Sequence, residues 1–145
     1  MTNRVLMVCF EAMEPTLLEA WGQQGLLPNL WRFINQSTTN RFNFDGSTEN
    51  IATWASMATG ATLGDHGIWE LNSWDADRYG YRINQFDEVY RIDPFWVRLG
   101  ELGKRSFIVD WPRAPLRGHR HAVQILNWMA HFNTGVCRAS DPDRY

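Results

Sequence analysis

The run Val5-Leu6-Met7-Val8-Cys9-Phe10 constrains the fold more than any other feature of the chain. It is short, continuous and apolar, and Glu11 ends it. Such a run predicts a strand buried on both faces, as in a parallel sheet flanked by helices. Cys9 within it reads as a buried thiol.

The segments that follow alternate with this pattern. Pro15 suits the first turn of a helix, and Leu17, Leu18 and Trp21 recur at helical spacing until Gly22 and Gly25. Pro28 starts a second helical stretch with Leu30, Phe33 and Ile34 on one face. Thr38 to Phe44 reads as a strand. Asn50 to Gly60 is apolar at helical spacing through Ile51, Trp54, Met57 and Ala58, with Gly60 as its stop. Gly64 to Gly67 reads as a turn. Asn72 to Arg91 has no clear period and reads as a long excursion with a hairpin around Tyr79-Gly80-Tyr81. Asp93-Pro94 predicts an N-cap with proline at the first helical position, ahead of an apolar face of Phe95, Trp96, Leu99 and Leu102 closed by Gly103. Ser106 to Asp110 predicts another short buried strand, and Val123 to Trp128 a further one. This alternation predicts an α/β class with a mainly parallel sheet. The length of 145 residues fits one domain.

Composition excludes some functions. The formal net charge of −2 gives no electrostatic basis for binding nucleic acid or an anionic membrane. No stretch approaches the ~20 apolar residues that span a bilayer, and the Val5–Phe10 run is too short for a signal segment. The two cysteines, Cys9 and Cys137, form no metal pattern. A cytoplasmic, reducing location is the expectation. Eight Trp and eight Phe predict a core rich in large rings, or a ring-lined pocket.

An open α/β sheet places ligands outside the carboxyl ends of its strands. Glu11, Asp110 and Asn50 fall at such positions.

Three stretches together resemble the type I phosphodiesterase and nucleotide pyrophosphatase branch of the alkaline-phosphatase superfamily. The first is Arg4 to Ala12 with Leu26-Leu27-Pro28-Asn29-Leu30, similar to a hydrophobic strand, Gly-Leu-Asp-Gly and a Leu-Pro-Asn-Leu turn. The second is Trp54-Ala55-Ser56-Met57-Ala58-Thr59-Gly60 with His66-Gly67-Ile68, similar to Trp-x-Ser-x-x-Thr-Gly and His-Gly-Ile. The third is Phe95-Trp96, Gly103-Lys104-Arg105 and Val109-Asp110-Trp111-Pro112. Their order and spacing make the combination specific over Arg4 to about Leu116. The resemblance implies an alkaline-phosphatase-like fold, of which this chain covers the N-terminal part. It implies two divalent metals, zinc before manganese or iron, and a Thr or Ser nucleophile acting on a phosphate, sulfate or phosphonate ester.

Carried over by position, the first metal ligand falls on Glu11, where the family has Asp. The longer side chain moves the donor oxygen by more than about an ångström, against a tolerance of about 0.2 Å in metal distances unless the backbone adjusts. The nucleophile position falls on Asn50, whose amide has no hydroxyl to deprotonate. Its carbonyl can still ligate a hard cation, and its NH2 can donate to an oxyanion. The plain reading of Asn50 is a helix N-cap. Thr48 is the alternative hydroxyl, although the intact spacing from Asn50 to Trp54 to Gly60 argues against the shift it needs. His119 and His121 make a possible zinc pair but lack a third ligand, so they read as a solvated loop; His66 reads as a packing element and His131 as a structural histidine. The polar end, Ser140 to Tyr145, is the expected mark of a partial domain, with the missing ligands supplied by further sequence or a partner chain. The competing reading is a catalytically degenerate relative serving as a binding or assembly subunit, with the Trp-rich surface between Trp69 and Trp96 as its contact face. A third reading keeps one metal on Glu11 and Asn50 and changes the chemistry. The isolated chain is expected to turn over weakly or not at all.

Overall fold

Prolines and glycines set several helix boundaries. In the computed structural model, which describes residues 4–40, 50–127 and 137–140, Pro15 lies in the first turn of α1 (Pro15–Gln23) and Pro28 in that of α2 (Pro28–Asn35). Both positions suit a residue with fixed φ and no N–H. The Glu14 carboxylate caps α1, accepting from the Thr16 backbone N–H at 3.0 Å and its hydroxyl at 2.8 Å. The chain divides into two compact units, Met1–Asn43 and Phe44–Tyr145.

In the first unit, α1 and α2 meet where buried Gly22 lies under the Trp31 ring. A Cβ at Gly22 would sit 2.4 Å from that ring. Gly22→Ala is therefore expected to destabilise the unit by about 1–3 kcal/mol, the usual cost of overpacking. Thermal unfolding followed by circular dichroism checks this; an unchanged midpoint would contradict the packing.

The strand expected over Val5–Phe10 does not form, and Val5 and Leu6 stand 91% and 87% exposed. A strand needs a neighbour for its N–H and C=O groups, and no described segment pairs with this run. Cys9 is exposed for the same reason rather than buried. Thr38–Asn40 is not strand either, and residues 41–44 lie outside the described residues.

The second unit is built on α3 (Asn50–Thr59), which ends at Gly60 with φ 68°. Its residues feed two clusters. Trp54 and Ala58 pack with Trp96, Ile108, Trp111, Ala114, Ala122 and Leu126. Ile51 and Ala55, each three residues earlier and so on an adjoining part of the helix surface, pack with Ile68 and Tyr90. The first cluster is a ring core: the Trp111 ring lies 5.7 Å from Trp54, 5.6 Å from Phe95 and 5.5 Å from Trp96, and its Nε1–H donates to the Trp54 carbonyl at 3.3 Å. Edge-to-face contact of this kind adds to area burial.

Gly64–Gly67 is more ordered than a plain turn. It overlaps one helical turn, α4 (Leu63–His66), closed by a Thr62–Asp65 capping box and by Gly67 at φ 71°. The expected hairpin is present: β1 (Asn72–Asp75) pairs antiparallel with β2 (Gly80–Ile83), with Trp74 opposite Tyr81. A short turn, α5 (Phe86–Val89), follows. The next helix, α6 (Phe95–Glu101), starts one residue later than expected, with Pro94 rather than Asp93 as N-cap. Asp93 instead pairs with Arg117 at 3.6 Å.

The last elements are β3 (Ser106–Val109), β4 (Ala122–Leu126) and β5 (Arg138–Ala139), in the order β3-β4-β5. Trp128, the end of the last predicted strand, lies outside the described residues. Helices and strands mix as the α/β class requires, but a mainly parallel sheet is not what forms. Among the described residues only β3 and β4 run parallel. The β1–β2 connection of four residues permits only an antiparallel pair, and β5 returns antiparallel on β4. The parallel crossover from β3 to β4 is a loop rather than a helix.

Asp87 ties this unit together. Its Oδ1 accepts the Leu116 N–H at 2.6 Å, its Oδ2 pairs with Arg138 at 2.5 Å, and Arg117 donates to its backbone carbonyl at 2.8 Å. Burial alone would raise its pKa, but these donors and the two guanidinium charges outweigh it and hold the carboxyl below its ordinary range.

Candidate functional site

Glu11 lies in the first unit on a tight turn just past the apolar run. The next residue, Ala12, has φ 54°, a left-handed conformation that costs a residue with a Cβ about 1–2 kcal/mol. The turn leaves the Glu11 side chain exposed.

Asn50 opens α3 in the second unit and is also exposed. It stands where the first N–H groups and the positive end of the helix dipole favour an anion. Its neighbour Ile51 turns inward against Ile68. Ile68 is in turn part of the wall of a cleft of about 350 Å³, shared with Trp69, Glu70, Asn72, Asn84 and Arg91 among others. That volume suits a small molecule. Arg91 supplies a cation and Asn72 an amide. Asn84 is committed to structure: its Oδ1 accepts from Ser73 at 2.5 Å and its Nδ2 donates to the Glu70 carbonyl at 2.9 Å.

Behind the wall sits His66, fully buried. Its Nδ1 accepts the Ile68 N–H at 3.0 Å, so the ring proton is on Nε2 and is donated to Ser56 Oγ at 2.8 Å. Burial lowers the pKa of this imidazole, against a smaller upward pull from Asp65. Ser56 and His66 resemble a nucleophile–base pair, but the proton runs the wrong way. A base at Nε2 would have to accept from the serine, and here it donates. The pair instead fastens α3 to the cleft wall. This bond was not legible beforehand; the signal for it is that Ser56 and His66 fall in the adjacent halves of one motif.

The other residues singled out by sequence fall apart spatially or lie out of view. Thr48 and His131 are outside the described residues. Asp110 follows β3 at φ 54°, its N–H held by the Ile125 carbonyl at 2.8 Å. His119 and His121 are half-buried, with ring centroids 5.7 Å apart, and His119 Nδ1 accepts the His121 N–H at 3.2 Å. The His119 ring also packs on Gly100, where a Cβ would come within 2.3 Å of it.

With this geometry in place, the family model of type I phosphodiesterase / nucleotide pyrophosphatase matches residues 5–140. The chain belongs to that family. No curated protein and no solved structure matches it. Membership makes it a relative of phosphodiesterase- and pyrophosphatase-type hydrolases, a family that typically depends on divalent metals. It also gives meaning to the Ala12 turn. The resembling Gly-Leu-Asp-Gly motif has glycine at that position, the residue type that adopts such a turn without steric cost, and this chain holds the turn with an alanine.

The described residues do not fit a divalent-metal centre. No group of three or more His, Cys, Asp or Glu side chains gathers among them. Glu11 and Asn50 offer one carboxylate and one amide oxygen, and they belong to different compact units. Among the described residues no helix is long and apolar enough to cross a membrane.

Proposed function

We propose that this member of the phosphodiesterase family binds a phosphate ester at the start of α3 and in the cleft beside it. The observation that carries this reading is the position of Asn50. It opens α3, and the resemblance carried by Trp54 to Gly60 assigns it the family's nucleophile position. There its NH2 can donate to a phosphoryl oxygen already favoured by the helix terminus. Arg91 in the cleft supplies the charge that a phosphate ester needs. Any metal, zinc before manganese or iron, enters this reading only through donors beyond the described residues.

Binding without turnover is the second reading, favoured by the chemistry of Asn50. An amide has no acidic hydroxyl to become a nucleophile, so the covalent step of the family has no starting group at this position. A degenerate relative of this kind would hold the ester and not cleave it.

Calorimetry with bis(p-nitrophenyl) phosphate, with zinc or manganese present, tests the reading. The protein is expected to bind it, and Asn50→Ala to weaken binding about tenfold, the worth of one hydrogen bond to a charged group. Release of nitrophenol in the same samples separates the two readings. No binding with any divalent metal would remove both.

A further inference from the structure

We infer that His66 is the positioning residue of the cleft: as a neutral imidazole it pins the wall from Gly67 to Asn72 to α3, and its protonation releases that wall. The inference rests on the phosphate-ester reading for what the cleft holds, but the latch itself stands on geometry. Ser56, on α3, takes the Nε2 proton at 2.8 Å, and the Ile68 N–H, on the wall, is taken by Nδ1 at 3.0 Å. One ring therefore joins the two segments, and both bonds require the same tautomer.

A second proton has only one place to go. It must sit on Nδ1, facing the Ile68 N–H, and two donors then point at each other where an acceptor is needed. Ile68 is 2% exposed and packs with Ile51, Ala55 and Tyr90, so water does not readily replace the lost acceptor. Displacing Ile68 moves its neighbours Gly67 and Trp69, which line the cleft with it.

The charged groups around the latch set the pH at which it opens. Asp65 precedes the histidine on α4 and favours protonation, although its Oδ2 is already held by the Thr62 hydroxyl at 2.6 Å. Arg91 lies against Gly67 and disfavours it. From α3 the facing group is the neutral Ser56 hydroxyl. Tyr90 packs on Ile68 and stays neutral, since burial pushes its phenol far up. Burial lowers the folded pKa of His66. The latch is therefore fully closed above the ordinary histidine pKa of about 6.5, and below it the closed-to-open ratio falls by up to about tenfold per pH unit.

NMR of the intact, isotope-labelled protein tests this. The imidazole nitrogens are expected to report the Nε2–H tautomer near neutral pH and a titration below the ordinary value. The amides of residues 67–72 are expected to shift along the same curve. In His66→Gln, whose side chain keeps an acceptor for Ile68 and a donor for Ser56, that common curve should vanish while the spectrum stays folded. An Nδ1–H tautomer in the wild-type protein would overturn the inference without any variant. So would wall amides that ignore the His66 titration, or a curve that survives His66→Gln. If the latch titrates as expected while bis(p-nitrophenyl) phosphate fails to bind at any pH, the latch stands and the phosphate-ester reading falls.

Discussion

Trp96→Ala is expected to cost about 4 kcal/mol, a large part of what holds a domain of this size together. Trp96 is fully buried, and its ring sits 5.1 Å from Phe95 and 5.5 Å from Trp111. Truncation removes the centre of the ring cluster that joins α3, α6 and the β3–β4 pair. The space left is too large for its neighbours to fill, so transfer and cavity costs add. Trp96→Phe separates packing from polarity. The Trp96 Nε1 is buried and has no hydrogen-bond partner among the described residues. Phe removes that orphaned donor along with part of the ring, so it is expected to cost less than half as much as Ala. Urea unfolding of the three proteins gives the comparison. Equal losses for Ala and Phe would contradict this account of the core.

Gln124→Leu is expected to cost about 3 kcal/mol although it hardly changes volume. Gln124 is a fully buried side chain in β4 with both ends of its amide used. Nε2 donates to the Pro115 carbonyl at 2.8 Å, and Oε1 accepts the Arg117 N–H at 3.0 Å. Leucine fills the space and orphans both backbone groups, which is the expensive way to lose a hydrogen bond. The crossover from β3 to β4 would lose its anchor, and with it Leu116, whose N–H reaches Asp87 at 2.6 Å. Gln124→Glu supplies the control. A protonated carboxyl can replace the amide, so this variant is expected to recover stability as the pH falls towards the ordinary Glu value of about 4.3. The burial raises the folded pKa of such a group, and the deficit is therefore present above that value and shrinks below it. Urea midpoints measured across this range check both variants.

Local chemistry made much of this fold legible. Pro15, Pro28 and Gly60 mark helix ends because fixed or positive φ acts through the nearest residues alone. The 106–109 strand and the hairpin around Tyr79-Gly80 were legible for the same reason. What was not legible depends on partners distant in sequence. Val5–Phe10 has every local property of a buried strand, but a run of residues does not state what will pair with it. The direction of a neighbouring strand is likewise invisible in its own residues, so one parallel pair read as a mainly parallel sheet. At the site, the motif positions put Asn50 at a helix start, where it is found, whereas Glu11 lies on a turn with no strand before it. His66 reads as a packing element and is fully buried as one, but its two bonds were not legible, because its tautomer is set by Ile68 and Ser56 acting together.

The claim that organises the rest is that the start of α3 is an anion site for a phosphate ester. The most direct test is to titrate isotope-labelled protein with bis(p-nitrophenyl) phosphate and follow every backbone amide. The predicted result is that the largest shifts fall on residues 50–53 and on the cleft wall around Ile68, and that Asn50→Ala needs about tenfold more ligand to reach them. Shifts centred elsewhere on the molecule, or an unchanged midpoint in Asn50→Ala, would contradict the claim.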